Sequence, residues 1–150
     1  MDRREADMKI GQCILKYSTI IFPLFLGTMI YAFWRGIYLF DDSQKVFPIF
    51  HDVQPPNWVK YNLPDGLWMY AFLSTIFIIW KSQISKQFVA WLLLAIIMSF
   101  FLEILQGLHF IPGTFDWFDM LAYTISILIL ILTKMSSNEK SVFTNKNFMQ

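Results

Sequence analysis

The sequence predicts an all-α integral membrane protein: four transmembrane helices, both termini cytoplasmic, and an outward loop between helices one and two. Three observations carry this. Hydrophobic residues make up 56% of 150 and the mean hydropathy is +0.47, above the apolar share of an ordinary soluble domain. Those residues gather into four segments whose lengths approach the thickness of a bilayer's hydrocarbon. The basic residues fall overwhelmingly on one side of the segments.

The first segment runs from about Tyr17 to Trp34, with Gly36-Ile37-Tyr38-Leu39-Phe40 extending it into the far interface. Residues 1–16 precede it as a basic cytoplasmic stretch. No small-x-small cleavage signal follows the apolar run, so it reads as a signal-anchor. The second segment, about Leu67 to Trp80, is the shortest and needs Gly66 and Ser82 at its ends. The third spans Phe88 to Phe110 and the fourth about Trp117 to Thr133. An eighteen-residue helix reaches about 27 Å, close to the span required. Trp34, Trp68, Trp80, Trp91 and Trp117, with Tyr17 and Tyr38, lie near segment ends as an aromatic belt requires.

The loop 41–66 contains Pro48, Pro55, Pro56 and Pro64, which exclude a long helix. It also holds Phe47, Ile49, Phe50, Trp58 and Tyr61, so it is expected to lie on the membrane surface or to fold over the bundle mouth. Residues 135–150 read as a polar cytoplasmic tail without fixed structure. Arg3, Arg4, Lys9 and Lys16 precede the first segment, Lys81 and Lys86 lie between the second and third, and Lys134, Lys140 and Lys146 follow the fourth. Only Arg35, Lys45 and Lys60 fall on the other side. The positive-inside rule then places both termini in the cytoplasm, with loop 41–66 and the turn from His109 to Asp116 outside.

Two classes are excluded early. A net charge of +1 lacks the basic bias of a nucleic-acid binder. The single Cys13 excludes an intramolecular disulfide and any cysteine-based metal cluster; it reads as a buried or interfacial thiol.

Chemistry is signalled by Glu103, a carboxylate inside the third segment. Ionisable groups within spanning helices are costly, face the bundle interior or a polar cavity, and suggest a site. Gln106 lies three residues on and shares its helix face. In the fourth segment Asp116, Asp119 and Tyr123 follow at spacings of three and four, again on one face. Asp65, in the Pro64-Asp65-Gly66 turn, opens the second segment. The topology thus brings Asp65, Glu103, Gln106, Asp116 and Asp119 to one depth as a polar pocket, with Arg35 as a charge partner that could neutralise it or snorkel to headgroups. Structural readings stand beside the functional ones. Asp65 and Asp116 occupy helix N-cap positions, and Asp119 suits the positive end of the helix dipole. A protonated Glu103 can bond across helices to Gln106, Tyr70 or Tyr123, and His109 suits a surface turn.

Glu103-Ile-Leu-Gln106 followed by Pro112-Gly113-Thr-Phe-Asp116-Trp-Phe-Asp119 resembles the signature of VanZ-like membrane proteins, which show E-x-x-Q, a Pro-Gly-Arg turn and Asp-x-x-Asp opening the final helix. Asp65-Gly-Leu-Trp68 is similar to that family's Asp-x-x-His motif. The resemblance covers about Leu63 to Leu132 and agrees with a four-helix domain at 17–134. Here Trp68 stands at the usual His, the Gly113-Thr114 turn lacks Arg, and Tyr123 and Ser126 replace the usual Asn and Gly. The resemblance implies a cell-envelope protein in a bacterial plasma membrane rather than a particular reaction.

Three functions follow as expectations. The first is a non-catalytic membrane protein whose outward pocket engages a lipid headgroup or lipid-linked envelope component. The second is an enzyme acting on a lipid-linked substrate, with Glu103 as acid or base and a divalent cation at Asp116 and Asp119. The third is an accessory subunit of a larger membrane complex. No cofactor is evident, a divalent cation at the acidic residues aside. Membrane lipids are the expected partners, and nucleic acid is not.

Overall fold

The computed structural model describes residues 3–34, 37–38, 45–46, 54–81 and 83–147. Its elements are α1 (Arg3–Trp34), a two-residue antiparallel pair β1 (Ile37–Tyr38) and β2 (Lys45–Val46), α2 (Asn57–Tyr61), α3 (Leu63–Ile79), α4 (Lys86–Gly107) and α5 (Trp117–Asn147). Among the described residues, three stretches are long and apolar enough to cross a membrane: Ile10–Trp34, Lys86–Gly107 and Trp117–Lys134. Most side chains on them point away from the protein, including Ile97 at 60% and Leu132 at 66% exposed, which is costly in water and natural in lipid. The build is consistent with an integral membrane protein.

Among the described residues, three of the four expected spanning helices are long and apolar enough to cross a membrane, and the second falls short. The second segment forms α3, which is 17 residues long. Its start lies earlier than Leu67 because Pro64, which cannot donate a backbone hydrogen bond, is tolerated in a first helical turn. Its end is fixed by Lys81, whose φ of 49° turns the chain into left-handed geometry. α3 is nevertheless the central element. Leu73 and Ser74 are fully buried, with Met69, Ala71 and Ile76 nearly so. It packs chiefly against α1 on one side and α5 on the other, with α4 along a third face.

α4 is started by Ser85, whose hydroxyl accepts from the Phe88 backbone N–H at 3.1 Å, a standard N-cap. Only Phe88, Ala95 and Glu103 are buried along it. These positions, spaced by seven and eight, define one narrow seam. Phe88 meets Phe77 of α3 edge-on at 4.9 Å between ring centres, a favoured aromatic geometry. The seam continues with Phe100 against Tyr123 of α5 at 5.9 Å.

Expectations about the flanks change. Residues 1–16 are helical from Arg3, and the tail expected to lack structure continues α5 to Asn147. The Cys13 thiol is exposed on α1, which removes the buried reading and leaves the interfacial one. Within loop 41–66, the described residues from Gln54 onward carry the short α2, and the last four belong to α3.

Candidate functional site

The polar corner is assembled where α4 turns into α5. α4 ends in a left-handed residue, His109 at φ 60°. The Phe110 N–H then bonds back to the Leu105 carbonyl at 3.0 Å, satisfying a carbonyl that the helix end would orphan. Gly113 completes the turn at φ 139°, a value that side-chain-bearing residues rarely adopt. A Cβ on Gly113 would lie 2.6 Å from Cδ of Gln106. Gln106 is therefore clasped under the turn, on the same side of α4 as Glu103 but held against backbone.

Glu103 is 6% exposed. The backbone N–H of Asp116 points to its Oε2 at 3.5 Å, long for a hydrogen bond. The Tyr123 phenol faces the same carboxyl and is placed to donate to it. Asp119 is close enough to bear on Glu103 electrostatically, and Asp65 on Tyr123. Glu103, Asp116 and Asp119 are thus near one another, Asp65 bears on Tyr123, and Gln106 lies under Gly113. Arg35, the expected charge partner, lies outside the described residues.

Asp116 is the N-cap of α5 as expected: its Oδ1 accepts from the Phe118 N–H at 2.8 Å. Asp65 is not a cap. With α3 starting at Leu63 it falls in the first turn, where a carboxylate favours the helix dipole. The residue at the cap position is Asn62, and its side chain looks elsewhere. Its Nδ2 donates to Asp116 Oδ2 at 2.9 Å and Asp119 Oδ1 at 2.7 Å. One buried amide thus ties together two carboxylates that would otherwise repel. Sequence reasoning passes over Asn62; a polar residue directly before Leu63-Pro64, at a helix entrance, is the available signal.

A second omission concerns how closely α3 and α5 approach. A Cβ on Gly66 would meet Ala122 Cβ and Ser126 Oγ, each at 3.2 Å. The Ser126 hydroxyl lies 2.6 Å from the Gly66 carbonyl and 2.8 Å from that of Ala122, so it donates across the interface or along its own helix. Small residues with an interhelical hydrogen bond are the usual means of joining helices in lipid. Trp68 is directed away from the corner, against Gly27 of α1, with its ring 5.6 Å from that of Tyr31. Its indole N–H is buried without a hydrogen-bond partner among the described residues.

From the corner an apolar groove of about 1000 Å³ runs between α1, α2, α3 and α5. Phe22, Leu67, Leu121, Ile125 and Ile129 supply its walls, and Asn62, Asp116, Asn57 and Tyr61 its polar end. The corner is rich in acceptors and, among the described residues, no three His, Cys, Asp or Glu side chains converge as a metal site would need. Glu103 faces donors rather than a nucleophile, so the arrangement suits recognition of hydrogen-bond donors. Comparison of the chain with protein-family models, curated proteins and solved structures finds no match.

Proposed function

We propose that this is a VanZ-like protein of the bacterial plasma membrane that engages a lipid headgroup or lipid-linked envelope component at its polar corner, without catalysis. The observation that carries the reading is the tie from Asn62 to Asp116 and Asp119, set over a buried Glu103. Buried ionisable groups at membrane depth are expensive and mark sites by default. Asp116 and Asn62 face the groove and supply the contacts, while Glu103, Asp119 and Tyr123 hold them in place. In this reading α3 is a fourth span: 17 residues reach about 25 Å and fall at the lower limit of spanning lengths. The basic-residue asymmetry then puts both termini in the cytoplasm and the corner outside.

The enzymatic alternative is less well supported. The Asn62 amide occupies the space between Asp116 and Asp119 that a divalent cation would fill, and no Ser, Cys or His flanks Glu103 among the described residues that bear on it.

The test is complementation of a deletion strain by Glu103→Gln and Asp119→Asn, with membrane abundance of each variant measured in parallel. Both are expected at normal abundance and to fail to restore the deletion phenotype. Full complementation by both leaves only a scaffold and refutes the charged site.

A further inference from the structure

We propose that the groove between α1, α3 and α5 holds the acyl chains of one glycerophospholipid with an ammonium-bearing headgroup, the ammonium lying at Asp116 and Asn62. This rests on the headgroup reading above and adds to it where the tail goes and what charge the head carries.

Polarity is matched to such a lipid along a single path. Leu121, Ile125 and Ile129 recur at spacings of four on α5, so they line one face of that helix, and all three are about half exposed in the groove wall. Phe22 and Leu67 face them from α1 and α3. Polarity begins abruptly at the end where α5 starts, with Asp116 and Asn62, and where α2 presents Trp58 and Tyr61. Aromatic residues of that kind favour the headgroup level. An amphiphile lying along the bundle therefore finds mainly hydrocarbon contacts for its length, broken by the Tyr70 and Ser126 hydroxyls, and meets a carboxylate only at its head. A volume of about 1000 Å³ is at the upper end of ordinary ligand sites, about 300 to 1000 Å³, and suits a two-chain lipid better than a small solute. The charge follows from the acceptors. Asp116 sits in a corner shared with Glu103 and Asp119, which favours a cationic donor and disfavours a purely anionic head.

The experiment is native mass spectrometry of the full chain in micelles supplied with equimolar dioleoyl phosphatidylethanolamine and dioleoyl phosphatidylglycerol. The wild type is expected to retain one lipid and to prefer phosphatidylethanolamine. Ile125→Trp fills the groove from an exposed position and should lower retention of both lipids about tenfold. Leu128→Trp makes the same change on the exposed face outside the groove and should retain lipid as the wild type does. Asp116→Asn keeps the cap and should abolish the preference between headgroups while lipid is still bound. If Ile125→Trp binds like the wild type while Asp116→Asn loses selectivity, the groove assignment falls and the headgroup reading stands. If neither variant differs from the wild type, the bound lipid is ordinary annular lipid and both fall. A lipid-free wild-type dimer that Ile125→Trp dissociates would mean that the groove takes a second copy of the chain, and would overturn the proposal.

Discussion

Asp116 carries two loads with one carboxyl group: Oδ1 caps α5 and Oδ2 receives Asn62. Asp116→Ala removes both and is expected to destabilise the protein by about 1 to 2 kcal/mol, the upper part of the range for a lost cap. Asp116→Asn should stay within about 0.5 kcal/mol, since Asn caps as well as Asp. Thermal unfolding of the purified variants checks the pair, and equal losses in both would contradict the capping geometry. That cap was legible in the sequence, because an Asp directly before an apolar run, with a second Asp three residues on, is the ordinary pattern of a helix start. Asp65 shows the same local pattern without being a cap: it too precedes an apolar run, but Pro64 fits inside a first turn and moves the helix start back to Leu63. The role of Asn62 was not legible. Its partners lie 54 and 57 residues away, and no local pattern encodes a contact across that distance.

At the level of elements, the α3–α5 contact depends on Gly66. In lipid, helices gain little from the hydrophobic effect and associate through close packing and a few interhelical bonds. Gly66→Leu pushes against Ala122 and Ser126 at distances already at the limit for a Cβ, so it should separate the helices and cost several times more than Ser126→Ala. The latter removes one interhelical hydrogen bond, about 0.6 kcal/mol on average in membrane bundles. Steric trapping or thermal unfolding in micelles measures both; a Gly66→Leu variant as stable as Ser126→Ala would show that the contact is not tight. The apolar segments themselves were plain in the sequence because lipid-facing side chains demand apolar residues all round. Which small residues form an interface was not plain, since Gly27, Gly66 and Gly107 look alike until their neighbours, Trp68, Ser126 and Phe115, are placed.

For the whole molecule, the all-helical class and its long apolar segments were readable from sequence, because composition acts over many residues at once. The number of spans was less readable. α3 is short, yet it is the element about which the others pack, and a buried helix needs no lipid-length apolar run. The proposed orientation makes a direct prediction. In a Cys13→Ser background, an impermeant thiol reagent applied to intact cells should label Lys45→Cys and leave Ser137→Cys unlabelled. The reverse pattern would invert the molecule and place the polar corner on the cytoplasmic side.

The α4–α5 turn has a practical bearing on how the protein is handled. A short connection between two helices is ordinarily where an epitope, a fluorescent module or a protease site is spliced in, because loops tolerate insertion. Here Gly113 presses on Gln106, and the residues that follow present the Asp116 N–H to Glu103. A tag placed at Gly113 would therefore pull the polar corner apart while the helices on either side of it could still form. The exposed Gln83 and Ile84, ahead of the Ser85 cap at the other end of α4, are the safer graft point.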